Sequence, residues 1–220
     1  MESADLIDEC PEVARVALAS ATGHRDLWLS AFALDGRIGK MVLGATEPLL
    51  GQMRLAWWRD QLGKPVAERP RGDVLLDLID RTWAGDESGL VALVDGWEAL
   101  LSPRPLQEEA RKQFVDGRGE LLLAVADRMG EATKADRVRQ AASLWALADL
   151  AVNARDESEL AAALALGNRE RTGRLQLPRK LRPLAVIGGL ADRSLRSGGR
   201  AMLGDRFSPL IALRLSLFGR

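Results

Sequence analysis

The sequence contains no tyrosine, one cysteine and one histidine among its 220 residues. Because Cys10 is the one cysteine, no disulfide can form within the chain, and nothing in the composition requires an oxidising compartment. Since His24 has no second histidine to join it, neither a transition-metal cluster nor a Cys-His catalytic pair is expected. The phosphate-binding patterns GxxxxGK[ST] and GxGxxG are also missing.

Long apolar runs and an excess of one charge are missing too. No run of about 18 uncharged apolar residues occurs, so no segment is expected to span a bilayer. The N-terminal stretch MESADLIDECPE lacks the basic and apolar regions of a signal peptide. The formal net charge of +0 argues against a general nucleic-acid partner. The cytoplasm is therefore the expected location.

The main pattern in the sequence is apolar residues at helical spacing. One stripe consists of residues 27, 31, 34, 38 and 41, at steps of four and three. No alternating strand pattern appears, so the sequence predicts an all-α fold of eight or nine helices, with a helix interruption or a tight packing point at Gly188–Gly189. Residues 1–24 are expected to be a mobile segment, and residues 25–220 a single helical domain. The predicted helices cover residues 26–42, 47–62, 73–83, 88–101, 107–129, 134–152, 157–166, 180–196 and 207–218.

Two adjacent tryptophans lie between two arginines in the stretch MRLAWWRDQL. Met53 and Trp57 are four residues apart and share a helix face, which predicts Trp57 as the core anchor. Arg54 precedes Trp58 by four residues, so its guanidinium is expected to cover a half-buried Trp58. Alternatively, Arg54 or Arg59 points into a central cavity and binds an anion.

The run EPLLGQMRLAWWRDQL, residues 47–62, resembles a segment of the squalene/phytoene synthase family. It is most similar to the branch that contains the mitochondrial complex I assembly factor and its bacterial relatives. LDLIDRTWAGD resembles the next helix of that branch, and RTGRLQLPRKLRPLAVIGGLA, residues 171–191, resembles the family's GR-LP stretch. The likeness runs from about residue 27 to residue 191 and implies an isoprenoid-synthase-type helical bundle.

Active members of this family use two aspartate-rich motifs to bind Mg²⁺ and diphosphate. Carboxylates four residues apart share a helix face, so both can contact the same ion. Where the first motif is expected, FALDGRIGK offers Asp35 alone, and no aspartate pair precedes GRLQLP. A single carboxylate is a poor site for an ion that prefers about six oxygens. The resemblance thus implies a non-catalytic member with no cofactor.

For such a member the resemblance implies a lipid or isoprenoid ligand, or a role in assembling a respiratory complex through contact with one of its subunits. The candidate residues of a cavity or anion-binding site are Asp35, Arg54, Trp58, Arg59, Arg171 and Arg174.

Two other functions are compatible with the residues. One is a working prenyl-diphosphate transferase with a rearranged Mg²⁺ site, which would require carboxylates such as Asp35, Glu120, Asp149 or Asp156 to converge. The other is a plain helical scaffold without a cavity. One literal D-x-x-x-D does occur, in DVLLD, but it lies at neither of the two places in the chain where the family has an aspartate-rich motif. Asp73, Asp77 and Asp80 are therefore expected to form a solvated face with Arg81.

The C-terminal quarter is basic. From residue 168 to the end, twelve arginines and lysines stand against three acidic residues, a balance that suits phosphates or an anionic membrane surface, or solvated cations paired with acidic helices. The segment RFSPLIALRLSLFGR combines a wide apolar arc with Arg206, Arg214 and Arg220. It is predicted to be a membrane or partner contact, and the alternative is the last core helix of the domain.

Overall fold

The computed structural model describes residues 2–173, 175–204 and 208–218. Within these ranges the regular secondary structure is helical and contains no strand, which confirms the all-α fold class. The helices described there are α1 Glu2–Glu9, α2 Glu12–Leu18, α3 Arg25–Leu43, α4 Pro48–Gly63, α5 Val74–Trp83, α6 Ser88–Glu98, α7 Glu108–Arg128, α8 Ala135–Val152, α9 Glu157–Glu170, α10 Arg182–Arg196 and α11 Ser208–Phe218.

Each segment predicted from apolar spacing overlaps one of the helices α3 to α11 over most of its length. The ends differ by a few residues. The segment predicted for residues 88–101 is α-helical to Glu98 and then tightens into a 3-10 turn that ends at Leu101, as last turns commonly do. Local spacing was therefore sufficient to place these helices along the chain.

Helix α3 is the central helix of the fold. Every residue from 27 to 36 is buried, because α3 packs against α1, α5 and α6 on different sides. The Phe32 ring lies 5.3 Å from the ring of Trp28 and 5.8 Å from that of Trp145, measured between centroids. A helix enclosed on all sides carries any polar residue of its middle turns into the core, and this applies to Asp35.

The N-terminal helices belong to this core. Helix α1 packs on α3, and α2 packs on α10 and α3, with Leu6, Cys10 and Leu18 buried. Gly36 permits the contact, since a Cβ at this position would lie 2.0 Å from the Glu9 carbonyl oxygen. Sequence patterns set residues 1–24 apart from the domain, whereas α1 and α2 pack on α3 and α10. The two helices are seven and eight residues long, too short for a clear periodic pattern.

Glycines also permit the closest approaches between longer helices. A Cβ on Gly117 of α7 would lie 2.9 Å from the Cα of Gly96 in α6. Helix α10 runs unbroken through Gly188 and Gly189, so the predicted interruption is absent and the tight packing point is the correct alternative. A Cβ on Gly189 would lie 2.6 Å from a methyl group of Leu215, which seats α11 on α10.

Helix α11 packs against α10 and α2 through Ala212 and Leu215, both of which are buried. Its other side keeps apolar side chains in solvent, namely Leu210, Leu213 and Leu217. Arg206, Phe207 and Arg220 of the predicted basic segment lie outside the described residues. No helix within the described ranges has the length and apolar character needed to cross a membrane.

Candidate functional site

Asp35 lies at the centre of the fold and is fully buried. Trp97 of α6 donates its indole N–H to Asp35 Oδ1 at 2.9 Å. Arg118 of α7 donates from Nε to Oδ1 at 3.1 Å and from Nη2 to Oδ2 at 3.0 Å. Both carboxylate oxygens are therefore engaged by donors from two neighbouring helices.

Arg118 connects Asp35 to a second carboxylate. Its Nη1 donates to Asp149 Oδ2 of α8 at 2.7 Å, and the side chain of Asp149 is about one quarter exposed. The Arg118 side chain itself is fully buried. We call Asp35, Arg118 and Asp149 the Arg118 network. It joins α3, α7 and α8 and has one cation for two carboxylates.

Aromatic rings enclose the Arg118 guanidinium. Its central carbon lies 4.0 Å from the ring centroid of Trp145, 4.7 Å from that of Phe114 and 5.4 Å from that of Trp97. A desolvated guanidinium over aromatic faces gains about 2 kcal/mol or more from each favourable contact. The rings therefore offset part of the cost of burying the charge.

Burial raises the pKa of the Asp35 carboxyl, and the charge of Asp149 acts in the same direction, whereas Arg118 and Trp97 oppose the shift. Burial alone would lower the pKa of Arg118, but the carboxylates of Asp35 and Asp149 outweigh it and raise that pKa. Arg118 therefore remains a cation at every physiological pH. A permanently charged guanidinium with two fixed carboxylate partners holds helices together and cannot exchange protons with a substrate.

Arg54 and Trp58 lie apart from Asp35, in a groove of about 610 Å³ between α3 and α4. We call it the tryptophan groove, and it is lined by Glu9, Arg37, Lys40, Met41, Arg54, Trp57, Trp58 and Asp73.

The two tryptophans take the reverse of their predicted positions. Trp58 is 2% exposed and Trp57 is 41% exposed, and their rings meet edge to face at 5.1 Å. Arg37 rather than Arg54 lies over the Trp58 ring, at 5.5 Å from its centroid. Helix α4 has apolar residues on both sides, and the side with Leu55 and Trp58 is the one that packs on the domain.

Arg59 points away from both places. It donates from Nε to Asp95 at 2.7 Å and also pairs with Glu98, both on α6. Its partners raise its pKa against the opposing effect of burial. Arg59 thus fastens α4 to α6, and its predicted place in a central cavity is wrong.

Arg171 lines a third place, a pocket of about 660 Å³ among α8, α10, α11 and the connector that follows α9. Its Nε lies 3.7 Å from Asp192 Oδ1. We call this the C-terminal pocket. Arg174, the remaining predicted residue, lies outside the described residues.

The DVLLD carboxylates do not form the predicted solvated face. Asp73 accepts from the backbone N–H groups of residues 75 and 76 as the N-cap of α5, and it also binds Arg37 at 2.7 Å. Asp80 is buried and accepts from Arg69 at 2.8 Å. In the described ranges no group of three or more histidine, cysteine, aspartate or glutamate residues is placed to hold a metal ion.

Of the four carboxylates considered for the rival Mg²⁺ site, two approach each other and two lie elsewhere. Asp35 and Asp149 approach the same guanidinium, that of Arg118. Asp156 caps α9 by accepting from the backbone N–H groups of residues 158 and 159, and Glu120 lines a different depression on the surface of α7.

No family model, curated protein or solved structure matches this chain.

Sequence reasoning missed Arg118 as a central residue, although a signal for it exists. Residues 114, 118, 121 and 125 form an apolar stripe at steps of four, three and four, and Arg118 is the one charged member. A charge on the buried side of a helix requires a buried partner. Asp35 is likewise a charge among the apolar residues of α3, so the sequence indicates that both residues need buried partners but does not identify them as partners of each other.

Proposed function

We propose that this chain is a non-catalytic helical protein of the isoprenoid-synthase type that binds a lipid or an isoprenoid. The proposal rests on the resemblance of residues 47–62 and 171–191 to the squalene/phytoene synthase family, together with the state of Asp35. In the branch that these segments resemble, the corresponding role is assembly of a respiratory complex, which we propose here as the cellular context. The expected location is cytoplasmic or peripheral at the inner membrane.

One observation carries the non-catalytic part of the proposal. Asp35 is the single carboxylate where the family's first aspartate-rich motif is expected, and its oxygens accept three hydrogen bonds from Trp97 and Arg118. Since Mg²⁺ prefers about six oxygen ligands, it would have to displace a guanidinium from a fully enclosed site. The geometry supports a structural role for Asp35 in place of diphosphate chemistry.

The rival function, prenyl-diphosphate transfer, has one observation in its favour. Asp35 and Asp149 approach each other closely enough to share Arg118. If Arg118 moved out, two carboxylates would face one space. An assay of pyrophosphate release distinguishes the two functions, because transfer releases pyrophosphate and binding does not.

The purified protein should release no pyrophosphate from farnesyl or geranylgeranyl diphosphate in the presence of Mg²⁺. An active family member serves as the positive control in the same buffer. Titration calorimetry should likewise detect no stoichiometric Mg²⁺ site tighter than roughly 10 μM, because no group of carboxylates within the described ranges is placed to supply its coordination. Mg²⁺-dependent pyrophosphate release above the background rate would establish the transferase and refute the proposal.

The assembly role requires a separate test. Deleting the gene from its host should lower the activity of a respiratory complex in isolated membranes, and the wild-type gene should restore it. A gene encoding Trp58→Ala, which is expected to unfold the domain partly, should restore less. Unchanged activity of all respiratory complexes in the deletion strain would remove this part of the proposal.

A further inference from the structure

The C-terminal pocket separates apolar from cationic side chains. Its apolar wall consists of Leu144, Leu175, Ala185, Ile211 and Leu215, contributed by α8, the connector, α10 and α11. Its volume of about 660 Å³ lies within the range of about 300–1,000 Å³ that is typical of small-molecule sites.

Four arginines line the same pocket, Arg171, Arg193, Arg196 and Arg214, against one carboxylate, Asp192. Asp192 binds Arg196 at 2.9 Å and lies 3.7 Å from Arg171, so among the described lining residues cations outnumber carboxylates. Among the described residues Arg214 has no carboxylate partner. It projects from α11 and is exposed.

From this arrangement we infer that the C-terminal pocket binds a single-chain anionic amphiphile. The chain lies along the apolar wall, and the phosphate or carboxylate head lies among the arginines. A small inorganic anion would make no use of the wall, and a neutral lipid would make no use of the cations. Guanidinium groups recognise phosphate and carboxylate oxygens through paired hydrogen bonds, which suits a head group of this class.

This inference rests on the proposed lipid-binding function and assigns it a site away from the Arg118 network. It also gives α11 a role. Because Gly189 has no side chain, Leu215 packs closely on α10, while Ile211 and Arg214 of the same helix line the cavity beside it. Helix α11 is thus both a wall of the pocket and the source of one cation.

Titration calorimetry of the full-length protein with dodecyl phosphate, below its micelle concentration, tests the inference. Inorganic phosphate and dodecanol are the comparison ligands, since each carries one half of the chemistry. The test variant is Arg196→Gln/Arg214→Gln, which removes two exposed cations of the pocket. The matched control, Arg81→Gln/Arg155→Gln, removes two exposed cations elsewhere and leaves the net charge equal to that of the test variant.

Wild type and control should bind one equivalent of dodecyl phosphate, and the test variant should bind at least about tenfold more weakly, since charge-assisted contacts are lost. Both comparison ligands should bind more weakly than dodecyl phosphate. Equal affinity for inorganic phosphate would identify a simple anion site and overturn the amphiphile. Equal affinity in test and control variants would refute the pocket and leave lipid binding standing. If wild type bound no dodecyl phosphate, the pocket inference would fail, whereas the non-catalytic proposal would still be decided by the pyrophosphate assay.

Discussion

The Arg118 guanidinium donates two hydrogen bonds, of 3.1 and 3.0 Å, to the carboxylate of Asp35 inside the enclosed core. The two residues are 83 positions apart in the chain and belong to α7 and α3. A buried pair of this kind is not by itself strong evidence for stability, because burying both charges is costly. Removing one partner, however, leaves the other charge buried without compensation, and this has a large measurable consequence.

We predict that Arg118→Met lowers the free energy of unfolding by about 3–5 kcal/mol, because Asp35 loses its counter-ion in the core. Urea denaturation followed by circular dichroism measures the change. Arg81→Met, at an exposed position, is the control and should stay within about 0.5 kcal/mol of wild type. A loss below about 1 kcal/mol for Arg118→Met would show that the network contributes little.

The double variant Asp35→Asn/Arg118→Met should be more stable than the sum of the two single losses indicates. With both charges gone, neither is left unpaired, and coupling energies of about 0.5–3 kcal/mol are usual for residues in contact. A double-mutant cycle under the same denaturation conditions measures the coupling. Strict additivity would contradict the direct pairing of the two side chains.

Trp58→Ala should lower the free energy of unfolding by about 3–5 kcal/mol, as expected for a buried aromatic side chain. Trp57→Ala is the matched control from the same helix turn. It should cost about 1 kcal/mol or less, because its ring is 41% exposed and contributes mainly the edge-to-face contact with Trp58. Equal losses in the two variants would contradict the orientation of α4.

The tryptophan pair shows where sequence patterns stop being sufficient. Helix positions follow from local spacing and were predicted correctly for α3 to α11. In α4, however, both the side with Met53 and Trp57 and the side with Leu55 and Trp58 satisfy helical spacing. Only contacts with other helices decide which side is buried. The pairing of Asp35 with Arg118 is likewise a contact between distant segments, and local spacing does not predict such contacts.

Cys10 should be nearly inert in the native protein. Its thiol is 3% exposed, and burial, reinforced by the charges of Asp35 and Glu9, raises its pKa to about 12. At about pH 8 the fraction of Cys10 in the reactive thiolate form is then on the order of 10³-fold smaller than for an ordinary thiol of pKa about 8.5. Ellman's reagent should react slowly with the native chain and rapidly after unfolding in guanidinium chloride. Comparable rates in the two states would show that residues near Cys10 open readily.

Glu159 should make stability depend on acidity. Arg104 donates to its carboxylate at 2.7 Å, and the backbone N–H groups of Leu106 and Arg155 donate at 2.8 and 3.0 Å. Burial opposes ionisation of Glu159, but these hydrogen bonds and the charge of Arg104 outweigh it and lower the pKa. A lowered pKa stabilises the fold above the unfolded-state pKa of about 4.3, and this contribution is lost as the pH falls through the folded-state value.

Glu159→Gln should therefore lower the free energy of unfolding by about 1.5–3 kcal/mol near neutral pH, the usual range for hydrogen bonds to a charged group. The difference from wild type should shrink as the pH falls below about 4. Urea denaturation across this pH range measures it. Glu157→Gln, exposed on the first turn of α9, is the control and should show little difference at any pH. A difference that grows on acidification would have the wrong sign for this assignment.

The exposed side of α11 should contribute to binding of anionic membranes. Leu210, Leu213 and Leu217 are 64%, 57% and 62% exposed, and Arg214 lies among them. Apolar side chains beside a cation favour the headgroup layer of an anionic bilayer, where each nearby positive charge adds about 1 kcal/mol.

Substituting these three leucines by glutamine should reduce co-sedimentation of the full-length protein with anionic vesicles, while the buried side of α11 is preserved. The matched control carries the same substitution at three exposed apolar positions of α4, namely Leu49, Leu50 and Met53. This control removes a similar total apolar surface. If α11 is the membrane contact, the control should bind like wild type. If the α4 variant loses binding and the α11 variant does not, the contact lies on the tryptophan helix. If neither variant differs from wild type, or wild type does not sediment at all, the basic C-terminal segment has another use.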